Sequence, residues 1–119
     1  MSVTIYGIRN CDTMKKARTW LEEHSIPYRF HDYKTDGVSR AHLDRWVGEA
    51  GWETVLNRQG TTFRKLDEEE KQGLDGEKAI RLMLAQPSLI KRPVLEKDGA
   101  LLIGFKAQDY EAAFTDGRS

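Results

Sequence analysis

Two short runs of β-branched and aromatic residues, Val3 to Tyr6 and Tyr28 to His31, flank one amphipathic stretch, and this spacing constrains the fold more than any other feature. Each run alternates as a half-buried strand does. Between them, Met14, Ala17 and Leu21 fall on one face of a helix, with Lys15, Arg18 and Glu22 elsewhere. Ile26-Pro27 closes that helix, because proline cannot continue it. Strand, helix, strand in so short a span is a βαβ unit. It predicts two parallel strands joined by a right-handed crossover.

The middle of the chain reads as helical. Thr35 to Ser39 is a turn with Ser39 as the cap, and Leu43, Trp46, Val47 and Ala50 then repeat at helical spacing. Gly51 interrupts, and Trp52, Val55 and Leu56 suggest a further helical turn. Asn57 to Thr62 is a polar loop. Asp67 before three glutamates suits a helix start. Asp75-Gly76 is a turn signal, and Ala79, Ile80, Met83 and Leu84 mark one more helix. Near the end, Val94 to Lys97 and Ala100 to Ile103 flank Asp98-Gly99, a strong hairpin signal. Tyr110, Ala113 and Phe114 mark a closing helix. The order is βαβ, helical insert, ββα. The expected fold is therefore α/β and thioredoxin-like (glutaredoxin-like), with a four-stranded mixed sheet. Residues 1–119 are read as a single domain, with 1–35 and 87–119 as the core and 36–86 as the insert.

Composition narrows the function classes. A chain of 119 residues is long enough to bury a core without staples. Nineteen basic residues face nineteen acidic ones, so no net charge draws the chain to nucleic acid or an anionic membrane. The single cysteine excludes a disulfide framework. The N-terminus does not read as a signal peptide, and the longest apolar run, Ala100 to Ile103, is far below a membrane span. These features point to the cytoplasm, where a free thiol persists. No signal for obligate dimerisation is present, and a monomer is expected.

Cys11 lies between the first strand and the first helix, among Asn10, Asp12 and Thr13. Unpaired amides at a helix start favour a negative charge there. A helix terminus contributes at most about 2 kcal/mol, which takes an ordinary thiol only to about neutrality. Stronger activation needs a cation. The alternative is that Cys11 is a small apolar core residue. Met14 stands where a dithiol motif has its second cysteine, so a redox cycle must borrow an external thiol, most simply glutathione. Arg92-Pro93 precedes the hairpin. A proline that is cis at this point in a thioredoxin-like fold faces the active thiol, which would bring Arg92 close to Cys11. The alternative is a surface arginine before an edge strand. Arg58, in the polar loop, offers a planar donor fork for an oxyanion or carboxylate, and Arg9 lies near Cys11 in sequence. His24, His31 and His42 show no metal-ligand spacing, and no metal is expected. Trp20, Trp46 and Trp52 read as packing residues.

The chain resembles the arsenate-reductase-like proteins that include the transcriptional regulator Spx, and most closely their small YffB-like branch. Ile5-Tyr6-Gly7 followed by Asn10-Cys11-Asp12-Thr13 and Lys15-Lys16-Ala17-Arg18 carry the resemblance. So do Ile26-Pro27-Tyr28, Asn57-Arg58-Gln59-Gly60, Lys91-Arg92-Pro93-Val94 and Leu102-Ile103-Gly104-Phe105. The resemblance implies a glutathione-dependent thiol reductase, with Cys11 as the nucleophile that forms a mixed disulfide or thiol adduct. Glutathione is the implied co-substrate. Arg58, Arg92, Pro93, Asn10, Asp12 and Thr13 are the implied anion- and glutathione-binding residues. A third family arginine falls where Gly104 stands, and a family histidine where Gly7 stands. Both departures weigh against arsenate itself and leave a site suited to glutathione or a small oxyanion. The resemblance also implies a protein partner, glutaredoxin for a reductase or RNA polymerase for a regulatory module. Met14 removes the two-cysteine switch of the regulator.

Overall fold

The structure, a computed structural model, describes residues 2–115. The βαβ unit is present: β1 (Val3–Gly7), α1 (Asp12–Glu23) and β2 (Arg29–Asp32), with β1 and β2 parallel and Ile5 opposite Phe30. Helix α1 buries Met14, Ala17 and Leu21, as the spacing predicts, and Trp20 joins them. It ends where Ser25 turns into the left-handed region (φ 56°) and the Ile26 amide donates back to the Leu21 carbonyl at 2.9 Å. This return satisfies an orphan carbonyl of the last turn.

Residues 33–91 form a unit of their own, built of short helices. They are α2 (Tyr33–Asp36), α3 (Arg40–Ala50), α4 (Trp52–Val55), α5 (Thr61–Arg64), α6 (Glu68–Lys71), α7 (Gly76–Ala85) and a 3-10 turn at Pro87–Leu89. Ser39 caps α3 through its Oγ, which accepts from the His42 amide at 3.2 Å. Asp75 caps α7, its Oδ1 accepting from the Lys78 amide at 2.8 Å. Leu43 and Trp46 are fully buried, while Val47 and Ala50 are half-buried. On α7 the buried face is Ala79, Ile80, Leu82 and Met83; Leu84, expected there, is half-buried. Asn57 to Thr62 is shorter as a loop than its polarity suggests, because Thr61 and Thr62 begin α5. The unit is tied off by backbone bonds from Asn57 to Leu89 and from Lys91 to Val55, both 2.8 Å.

Strands β3 (Val94–Lys97) and β4 (Ala100–Ile103) return to the first unit, which comprises residues 2–32 and 92–115. Their hairpin turns on Asp98 (φ 46°) and Gly99 (φ 90°), two successive left-handed residues that match a strand pair's twist. β3 pairs antiparallel with β1, giving the strand order β2-β1-β3-β4 and the four-stranded mixed sheet of a thioredoxin-like fold. Helix α8 (Ala107–Thr115) closes the chain. Val3 and Ile5 of β1, Leu95 of β3, the buried face of α1, and Tyr110 and Phe114 of α8 form one apolar core. No helix among the described residues is long and apolar enough to cross a membrane.

Candidate functional site

Cys11 is the residue that begins α1. Its backbone is extended (φ −143°, ψ 129°), and its carbonyl accepts the first helical bond, from the Lys15 amide at 3.0 Å. A residue in this position aims its side chain at the amides two and three residues on, here Thr13 and Met14. The sulfur closes no side-chain cap bond of ordinary geometry, yet both amides face it and favour its ionised form. Burial pushes the Cys11 thiol up. The Met14 amide, a hydrogen bond from Arg92, the Thr13 amide and the Arg92 charge together outweigh burial and hold the thiol below its ordinary value. The thiol is half-buried and packs against the edge of the apolar core. It is thus packed against the core and also held low, and these two features of the cysteine are not exclusive.

Arg92 reaches Cys11 from the segment before β3. The Arg92–Pro93 peptide bond is cis, Pro93 is buried, and its carbonyl accepts the Gly104 amide at 2.8 Å. Gly104 is left-handed (φ 81°), a conformation that disfavours any larger side chain there. The described groups brought together at the sulfur are therefore Arg92 and the amides of Thr13 and Met14. Asn10 and Asp12 flank it and are exposed.

Arg9 is directed elsewhere. Its Nε lies 3.8 Å from the carboxylate of Asp32, and its guanidinium sits 5.6 Å from the Phe30 ring. Asp32, the buried carboxylate at the end of β2, escaped the sequence reading, because a strand-end aspartate resembles any turn residue. The helix-start amides expected to favour a negative charge at Cys11 are those of Met14 and Thr13.

Arg58 belongs to the helical unit. It is exposed, its guanidinium lies 5.4 Å from the Trp52 ring, and with Asn57, Gln59 and Lys91 it lines a polar cleft of about 280 Å³. Among the described residues no group of three or more His, Cys, Asp or Glu side chains could hold a metal.

Comparison with known proteins sharpens the picture. The chain is similar to the solved structure of a YffB protein, with 65% identity over 94% of this chain and 98% of that one and a TM-score of 0.93. An arsenate reductase (ArsC) related protein from Brucella melitensis is 61% identical over 96% of this chain and 95% of its own, with a TM-score of 0.77. The global transcriptional regulator Spx of Streptococcus mutans is 30% identical over 92% of this chain and 81% of its own. The ArsC family model matches residues 6–113, which include both Cys11 and Arg92. The chain belongs to the ArsC family.

Proposed function

We propose that this chain is a thiol reductase that resolves mixed disulfides of glutathione, with Cys11 as its nucleophile. The observation that carries the reading is the pairing of Arg92 with a thiol held low at the start of α1. The reaction balances with one cysteine. The Cys11 thiolate attacks the glutathionyl sulfur of R–S–S–G, the bond to R breaks, and R–S⁻ leaves and takes a proton. A second glutathione thiolate attacks the same glutathionyl sulfur on Cys11. Glutathione disulfide forms, and the Cys11 thiolate is released. The lowered thiol serves both steps, as nucleophile in the first and leaving group in the second. Arg92 stabilises the sulfur's negative charge each time it appears. The resemblance gives Arg58, Asn10, Asp12, Thr13 and Pro93 the task of holding the anionic thiol, in the reducing setting of the cytoplasm.

Arsenate is not the proposed substrate. The positions of two family groups are committed to other tasks here: Gly104 to a left-handed turn, and Gly7 to close contact with Met14. A regulatory module that binds RNA polymerase is the second reading, supported by the 30% identity to Spx.

The test is turnover of the mixed disulfide of glutathione and 2-mercaptoethanol. Cys11→Ser should fall to background. Arg92→Ala should shift the pH midpoint of Cys11 alkylation upward, and Arg58→Ala should raise KM and leave that midpoint in place. Full turnover by Cys11→Ser would exclude the reductase reading.

A further inference from the structure

Beyond Cys11 the exposed side of α1 continues into a cleft of about 300 Å³ lined by Lys15, Lys16, Thr19, Trp20, Glu23 and Phe105. Its floor is apolar and braced. The rings of Trp20 and Phe105 both meet the fully buried Tyr110 edge-on, at 5.5 and 4.8 Å. Phe105 is left half-buried, while Trp20 is 9% exposed and stacks on the His24 ring at 3.8 Å, so that it shows the cleft little more than an edge. The charges at the two ends differ. Lys15 and Lys16 stand one turn from Cys11, and Glu23 stands at the far end of the helix. None of the three forms an ion pair with a described residue, whereas Arg9, Arg40 and Arg81 do.

Length decides what such a cleft can take. At a rise of 1.5 Å per residue, Glu23 lies about 18 Å along the helix from Cys11. A fully extended tripeptide spans at most about 11 Å. Glutathione joined to Cys11 would reach the lysines and stop short of Trp20 and Glu23. An occupant that satisfies both ends and covers the apolar floor is a longer chain.

We infer that this cleft docks an extended segment of a partner protein. The segment carries a carboxylate beside its glutathionylated cysteine, whose sulfur leaves when Cys11 attacks the glutathionyl sulfur, an aliphatic side chain over Phe105 and the edge of Trp20, and a cationic side chain at Glu23. The lysine pair, apolar floor and glutamate in sequence along one helix carry the inference. It rests on the reading of Cys11 as the nucleophile, and it names the substrate class: glutathionylated protein rather than a small disulfide.

The experiment uses two fluorescein-labelled peptides with serine at the thiol position, so that no sulfur chemistry occurs. One continues with two aspartates, leucine and lysine; the other has its charges reversed. The wild-type chain should bind the first about tenfold more tightly, a difference in the range of several exposed charge pairs. The preference should shrink as salt is added. The double variant Lys15→Glu/Lys16→Glu should prefer the reversed peptide, and Phe105→Ser should weaken both. Equal binding of the two peptides by the wild-type chain, or an unchanged preference in the double variant, overturns the inference. If the charge preference holds but no mixed disulfide is turned over, the docking surface stands and the reductase reading falls.

Discussion

The three longest helices, α1 in the sheet unit and α3 and α7 in the helical unit, start in different ways. In the helical unit α3 begins on the Ser39 hydroxyl and α7 on the Asp75 carboxylate, each accepting a first-turn amide. Helix α3 adds the return bond, with the Ser39 amide donating to His42 Nδ1 at 3.3 Å. α6 has a similar return, from the Asp67 amide to Glu70 Oε1 at 3.1 Å. In the sheet unit α1 begins on a sulfur that closes no cap bond. Its first turn is held by packing instead: Met14 is fully buried, against Gly7 at the end of β1. A start fixed by packing leaves its amides available to an anion. A start fixed by an oxygen cap has spent them. The difference separates a helix end that only has to be stable from one that has chemistry to do.

The sharpest way to break this contrast is Gly7→Ala. A Cβ at position 7 would sit 2.2 Å from Met14 Sδ and 2.8 Å from its Cε. The Met14 side chain is fully buried, so moving its far end aside displaces its neighbours, and the substitution should cost about 1–3 kcal/mol, as overpacking does. Adding Met14→Cys should recover part of that loss, and chemical denaturation of the two variants and the double variant measures the coupling. If the costs simply add, packing between these residues does not hold the helix start.

The same pair shows what the sequence disclosed and what it hid. Gly7 and Met14 read as two separate departures from the family, a missing histidine and a missing second cysteine. They are one packing event, because the methionine sulfur fills the space a side chain at position 7 would need. Periodicity disclosed the strands and the helix between them, since alternation and a four-residue repeat depend on near neighbours. Asp98-Gly99 disclosed the hairpin, because two left-handed residues in succession suit few side chains. Which residue of a helix is buried depends on distant elements, and so Leu82 was missed and Leu84 expected. Arg9 stands close to Cys11 in the chain, but Asp32 and Phe30 claim it, and nothing local announces that. Cys11 itself was legible because a polar loop ending at a helix start is a local pattern. The approach of Arg92 could be argued only from the fold.

The next effect is smaller. Ser39→Ala and Asp75→Ala should each cost about 1 kcal/mol of stability, the usual value of an oxygen cap. Glycine at either position should cost only a few tenths. Urea denaturation of the full chain reads both. A loss well below this at Ser39 would mean that the His42 ring, stacked on Trp46 at 5.5 Å, and not the hydroxyl, holds the start of α3.

The smallest effect tests the contrast from the other side. Cys11→Ser gives α1 the oxygen cap it lacks and should abolish the chemistry while leaving the chain slightly more stable. The gain should be about 0.5 kcal/mol near pH 6, below a full cap because the hydroxyl loses the sulfur's packing against the core. The gain changes with pH in a way that identifies the cause. The folded thiol is held below its ordinary value by the Met14 and Thr13 amides and by Arg92, against the upward push of burial. Its thiolate therefore adds stability that is fully present above the unfolded thiol's value and lost as pH falls through the folded one. Wild-type stability should rise relative to Cys11→Ser as pH climbs through that window, so the serine variant's advantage should narrow. A difference between the two chains that stays flat from pH 6 to alkaline pH would show that the start of α1 does not favour the thiolate, and would remove the reason for leaving this helix uncapped.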